Sequence, residues 1–283
     1  MSIESGIIRD ESVDAYHASA AVSSSNLGTW DVSGPRAFFE RHVARETRRP
    51  RTKALDFGQC FEDALRGDRS GWVTPPDDLK RAKNGALSTK EAREWKAAQE
   101  AAGLAILTAD EVEAIERGIE GLQANSAACD LIEACEEQVT LRCQLAELPE
   151  IPGIQARPDF FGQGGSYLSS YVPIAPDLKT TRDPVKKFGW RTVTKYGYDR
   201  QAALVRKCCR ELGIGAVRHP LIVVEKSYPF ACKVWWVPTR MVDHAEERVD
   251  EMLSAIATHY ESGKWPLVED EQGEIKLPSW MEV

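Results

Sequence analysis

The sequence predicts a mixed α/β fold: a mixed central sheet flanked by helices, with a helical portion ahead of it. Three observations predict it. Apolar residues recur at helical spacing through the first half of the chain, the period shortens to two after Glu137, and further on a helical stretch separates two groups of strand-like runs. At 283 residues and 42% apolar, the chain can bury a sizeable core, and no linker divides it. One domain over residues 16–283 follows, helical over 16–130 and sheet-containing over 131–283, behind a loose arm of residues 1–15.

The helical portion opens at "SSSNLGTWDVSGPRAFFERHV", where a serine cluster offers an N-cap, and Gly34-Pro35 precedes a turn carrying Phe38 and Phe39. "ALDFGQCFEDALRGD" places Ala54, Phe57, Phe61 and Leu65 on one helical stripe, which leaves Gln59 and Glu62 off it. Residues 66–87 are rich in turn formers and predict an irregular connection. Two capping-box patterns follow, Ser88 with Glu91 and Thr108 with Glu111, each opening a helix. Val112, Ile115, Ile119 and Leu122 form the apolar stripe of the second.

The alternating runs "QVTLRCQLAEL", "GIQARPDFF" and "YLSSYVPIAPDLKTT" read as a three-strand meander, with a glycine-rich turn over residues 162–165. A helix over about Tyr196 to Leu212 leads to the strands "PLIVVEKS" and "ACKVWWVP", and an amphipathic helix from Met241 closes the chain ahead of a short tail containing Trp280.

The formal charge is −8, which argues against a protein that coats nucleic acid. Its distribution is uneven. Residues 41–53 carry six Lys/Arg against one Glu, and residues 183–210 carry eight against two Asp, so an acidic body bears two basic segments. Seven cysteines with no CxxC and no zinc-like spacing read as reduced thiols. No apolar run reaches the ~18 residues of a membrane span, and the N-terminus lacks the pattern of a secretory signal, so a cytoplasmic protein is expected. His17 and His219 stand alone and suggest surface or capping positions.

One group of residues carries chemistry. In a strand, Asp177 and Lys179 project to the same side and Leu178 to the other, and Asp159 reaches the same place if "QARPDFF" is the neighbouring strand. Two carboxylates converging with one ammonium favour a cation between them, and Mg²⁺ or Mn²⁺ suits oxygen donors of this kind.

Asp159 followed by Asp177-Leu178-Lys179 resembles the PD-(D/E)XK nuclease signature. With "YGYDRQAALV" downstream, and "YHASAAVSSSNL" and "ALDFGQCFEDAL" upstream, the chain resembles the RecE-type exodeoxyribonucleases of phage and prophage over most of its length. The resemblance implies a restriction-endonuclease-like PD-(D/E)XK core. Asp159, Asp177, Glu62 and the Leu178 carbonyl would hold Mg²⁺, with Mn²⁺ as a substitute, and Lys179 would position the attacking water. Glu62 stands where the family has His, and Gln201 keeps the start of a Q-x-x-x-Y motif whose Tyr is Val205 here, so that the contact of that Tyr is either missing or supplied by Tyr198. Either Glu137 or Gln138 occupies the register of a further acid. Arg157, Lys195, Tyr198, Arg200 and Gln201 would contact DNA.

The resemblance further implies 5′ to 3′ resection of linear duplex ends, a RecT-like single-strand annealing protein as partner, and a ring-shaped homo-oligomer, with recombination by strand annealing as the setting. An endonuclease or RNA-directed nuclease of the same fold, and a catalytically weak DNA-binding protein, remain as alternatives.

Overall fold

A computed structural model of the chain describes residues 3–47, 52–83, 85–163 and 172–267. Most of the glycine-rich gap, Arg48, Arg49 and Arg51 of the first basic segment, and Trp280 lie outside these residues.

The N-terminus differs from the expected loose arm. Strand β1 (Gly6–Ile8) and helix α1 (Val13–Ala18) are followed by α2 (Ser24–Phe38), capped by Ser23 and interrupted at Gly34, whose φ of 76 breaks the helix ahead of Pro35. A π-helical turn over Phe39–Val43 ends this region. Next come α3 (Lys53–Leu65), β2 (Trp72–Val73), α4 (Lys90–Ala101), β3 (Ala105–Ile106), α5 (Ala109–Gln123) and α6 (Ser126–Glu133). The connection over 66–87 is less irregular than its composition implies, because β2 pairs in parallel with β3. Thr108 and Glu111 form the expected capping box. For α4, however, the cap is Thr89, whose side chain accepts from the Ala92 amide, so Ser88 lies one residue outside. Helix α6, eight residues long and capped by Asn125, is too short for its apolar period to stand out in the sequence.

The strands that follow are β4 (Glu136–Glu137), β5 (Thr140–Cys143), β6 (Ile154–Ala156), β7 (Phe160–Gln163), β8 (Pro173–Ile174) and β9 (Asp177–Thr181). They do not form one meander. Pro158 separates β6 from β7, and Pro176 separates β8 from β9; proline supplies no N–H to a ladder, so each expected strand breaks there. Three small sheets result, ordered β1-β5-β6, β4-β7-β8 and, with the later strands β10 (Pro220–Glu225) and β11 (Cys232–Trp236), β9-β10-β11. The last sheet is mixed: β10 runs parallel to β9, pairing Leu221 with Asp177 and Val223 with Lys179, and antiparallel to β11. Between them lie α7 (Trp190–Tyr196) and α8 (Tyr198–Glu211), two helices where the sequence suggested one, and α9 (Thr239–Ser262) closes the fold. Gly197, in the left-handed conformation at φ 70, divides α7 from α8.

Two main apolar clusters hold these elements. One joins Leu27, Leu141, Ile154, Leu204 and Leu253 from α2, β5, β6, α8 and α9. The other joins Phe57, Phe61, Ile115, Leu178 and Ile222 from α3, α5, β9 and β10. Phe61 packs so closely on Gly118 that a Cβ there would lie 2.7 Å from its ring, which draws α3 against α5. Cys60, Cys143, Cys208 and Cys209 are buried free thiols, as expected. Among the described residues no helix is long and apolar enough to cross a membrane.

Burial of polar groups fixes the N-terminus. β1 pairs with β5, setting Gly6 opposite Arg142. The Arg142 guanidinium donates to both Glu11 carboxylate oxygens at 2.7 and 3.0 Å and to Gln155, whose amide donates to the Tyr16 carbonyl at 3.0 Å. The Arg142 and Glu11 side chains are each 9% exposed. Removing one partner of such a pair strands the other charge, so Glu11→Ala is expected to lower unfolding stability in urea by about 3 kcal/mol.

His219 is also buried rather than at the surface, and its Nε2 lacks a hydrogen-bond partner. Burial, with Arg206 adding to it and Asp177 opposing, pushes the imidazole down to about 3. The unfolded chain binds a proton there near pH 6.5 and the folded chain does not, so this contribution is complete above that pH and is lost as pH falls towards 3. Urea titrations between pH 6.5 and 5 should therefore show a slope that falls by up to about 1.4 kcal/mol per pH unit in His219→Phe.

Candidate functional site

The two proline breaks create the site. Each proline is followed directly by an aspartate, Pro158-Asp159 and Pro176-Asp177, and the two corners face one another. The Phe160 amide donates to the Pro176 carbonyl at 3.1 Å, and the Leu178 amide donates to Asp159 Oδ2 at 2.7 Å. The Asp159 side chain thus sits against the backbone between Asp177 and Lys179, in a corner at the strand edge rather than across a ladder.

The Asp177 side chain is buried, and both its oxygens are engaged: Gln201 Nε2 from α8 donates to Oδ1 at 2.7 Å, and Lys179 Nζ forms an ion pair with Oδ2. Leu178 turns the other way into the apolar cluster beneath, as strand alternation requires. Lys179 lies 5.0 Å from the centre of the Tyr198 ring. The sequence-predicted Asp159, Asp177, Lys179 and Gln201 therefore meet.

Glu62 joins them electrostatically. Burial raises its carboxyl, against the opposing pull of Lys179 and Arg66, and Asp177 raises it further. Asp159 is pushed well above the ordinary carboxylate range, first by burial and then by Asp177 and Glu62, with Lys179 and the Leu178 amide opposing. Burial alone would lower the Lys179 ammonium; Asp177 and Asp159 outweigh it and hold the group above its usual value. An excess of carboxylate over ammonium is thus concentrated in one enclosed place.

The donor set suits a hard divalent cation. Asp159, Asp177 and Glu62 provide carboxylate oxygens, and Mg²⁺ needs only one or two of these while retaining several waters. No group of three His, Cys, Asp or Glu side chains among the described residues stands ready to enclose a metal. Glu62 is thus not drawn up with Asp159 and Asp177 as a ready third ligand, and a cation at Asp177 would compete with Lys179 and Gln201.

The surrounding residues divide. Arg66 at the end of α3 donates to the exposed Glu137 at 2.8 Å while also reaching Glu62 at 3.5 Å and Asp63 at 3.2 Å. Gln138, at φ 54, ties its amide to the Asp159 carbonyl at 3.0 Å. Arg157 has buried Nε and Nη1 atoms without hydrogen-bond partners, and its guanidinium lies 5.7 Å from the Tyr16 ring centre. Lys195 is exposed on α7, over Tyr196.

Arg200 is not brought to the site. It donates to Asp31 of α2 at 2.9 Å, and its guanidinium fills space over Gly28 and Gly197, where an added Cβ would lie 2.8 and 2.5 Å from it. The physical reason is the helix start at Gly197, which turns Arg200 towards α2 while Gln201, one residue on, points to Asp177. Arg66 is the contributor that sequence reasoning missed; its spacing of four from Glu62 was the available signal.

No family model matches the chain, and no curated protein matches it. The solved structure of a "Putative exonuclease" from Eubacterium rectale superimposes with a TM-score of 0.60 at 14% identity, covering 97% of this chain and 98% of that one. That likeness shows a shared fold. A second solved structure, of SSO0001, covers 70% of this chain and 84% of its own at a TM-score of 0.31 and 14% identity, and carries no argument.

A carboxyl raised on folding makes its ionised form a burden on the fold: stability falls as pH climbs from the unfolded value to the folded one. Asp159→Asn keeps an oxygen for the Leu178 amide and removes the charge. Without metal it is expected to melt a few degrees higher than the unaltered protein at pH 7, with the difference vanishing towards pH 4, as followed by circular dichroism.

Proposed function

We propose that the protein is a metal-dependent nuclease of the PD-(D/E)XK type, acting as an exonuclease on the ends of linear double-stranded DNA. The observation that carries this reading is the bond from the Leu178 amide to Asp159, which gathers the buried Asp177, the half-buried Asp159, Lys179 and Gln201 into one charged corner. The shared fold with a protein named as an exonuclease supports nuclease chemistry in general. Mg²⁺, 5′ to 3′ polarity, a RecT-like annealing partner and a ring-shaped homo-oligomer rest on the family resemblance.

In this reading Asp159 and Asp177, with Glu62 and the Leu178 carbonyl, hold Mg²⁺ or Mn²⁺. When bound, the ion polarises the scissile phosphate and acidifies a water. The chain's own residues do the rest. Lys179, kept protonated by its two aspartates, offsets the negative charge that grows on the phosphate and orients the water; it is not the base. Gln201 fixes the rotamer of Asp177. Arg157, with two buried donors unused one residue before Pro158, is suited to take a neighbouring phosphate. Arg66 holds Glu62 and Glu137 in place from the far side.

End-labelled linear duplex and the matching closed circle, each with Mg²⁺, Mn²⁺ or EDTA, test the reading. Loss of the linear DNA alone is expected, only with metal, and slowed by about 100-fold or more in Lys179→Ala. Cleavage of the circle would identify an endonuclease. Metal-dependent cleavage that Asp177→Ala leaves unchanged would remove the site from the reaction.

A further inference from the structure

The second basic segment splits into two unlike halves. Arg200, Arg206, Lys207 and Arg210 are neutralised by Asp31, Asp243, Glu246, Glu147 and Asp250, and serve to dock α8 against its neighbours. Lys186, Lys187, Arg191 and Lys195 are exposed and make no ion pair among the described residues.

A ladder of aromatic rings runs from the site to those free cations. Phe188, in the core beneath, stacks on Tyr198 at 6.3 Å and 9°, and Tyr198 stacks on Tyr196 at 5.7 Å and 27°. Tyr198 is the ring over Lys179. The ladder ends in the open, with Tyr196 59% exposed, and Trp190 at the start of the same helix is 63% exposed. Lys195 and Arg191, four apart on one helix face, lie 5.4 Å from Tyr196 and 5.3 Å from Trp190.

Exposed rings edged by unpaired cations match a ligand that is itself a polyanion carrying flat rings. Single-stranded nucleic acid is that ligand: stacking on aromatics serves every base, and the cations follow the phosphates. An intact duplex keeps its base faces stacked on one another and would leave Tyr196 and Trp190 idle. We infer that Tyr196 and Trp190 form a stacking ledge for unpaired bases beside Lys179, so that the strand reaching the site is locally single-stranded and is held without regard to sequence. The inference rests on the nuclease reading of the same site and adds the form in which its substrate arrives.

The test measures fluorescence anisotropy of a labelled oligothymidylate of about 12 nucleotides, a length within the usual single-strand site size. It is run in EDTA with the unaltered protein, Tyr196→Ala, Tyr196→Phe and Trp190→Ala. Binding is expected to weaken about 10-fold in each alanine variant and to be restored in Tyr196→Phe, while affinity for closed circular duplex stays unchanged. Equal oligothymidylate affinity in Tyr196→Ala, no rescue by phenylalanine, or a matching loss on the duplex would overturn the ledge. So would no binding by the unaltered protein, which would reassign the rings to a protein partner.

Cleavage assays on linear DNA separate the two claims. Metal-dependent cleavage together with unaltered oligothymidylate binding in Tyr196→Ala removes the ledge and leaves the nuclease. Ring-dependent binding with no cleavage in any metal supports the ledge as a strand-binding surface and removes the nuclease.

Discussion

The hydrogen bond from the Leu178 amide to the Asp159 carboxylate is the constraint on which the site depends. Without it the two proline corners would be neighbouring loops. With it, a strand edge that lacks a ladder partner finds one in a side chain, and the acid at one corner is held beside the acid at the other. Two backbone contacts reinforce the tie, from Phe160 to the Pro176 carbonyl and from Gln138 to the Asp159 carbonyl. The arrangement is costly in charge, as the raised Asp159 and Glu62 carboxyls indicate, and such costs gather where a chain performs chemistry.

The rest of the fold supplies support from three directions. From below, Leu178 and Ile222 anchor β9 and β10 in the apolar cluster they share with α3 and α5, which fixes the height of Asp177. From one side, α8 delivers Gln201, and its position is set by the pairing of Arg200 with Asp31 and of Arg206 with Asp243 and Glu246. From the other, the β1 strand and the Glu11–Arg142 pair close the sheet that ends at Arg157. Residues remote from the acids thus act on them through backbone placement.

The apolar periodicity made the long helices and the buried β10 legible, and the strand alternation put Asp177 and Lys179 on one face. The Asp159–Asp177–Lys179 group came from motif spacing together with that alternation. What was not legible has physical causes. The proline breaks turned two expected strands into four, because one missing N–H ends a ladder without disturbing the hydrophobic pattern around it. The N-terminal strand is only three residues long, Gly-Ile-Ile between polar flanks, so its order comes from a distant partner, Arg142. Half of the basic segment became structural because its acid partners lie in α2, the β5–β6 connection and α9, far away in sequence, which no local charge count reveals. Arg200 and Gln201 are adjacent in sequence and face different elements.

If Asp159 and Asp177 together form a divalent-cation site, Mn²⁺ binding followed by electron paramagnetic resonance without DNA reports on it. The unaltered protein is expected to deplete the free Mn²⁺ signal, Mg²⁺ to compete for the same site, and Asp159→Asn and Asp177→Asn each to abolish the depletion. Depletion that both variants retain, or none by the unaltered protein, would contradict such a site.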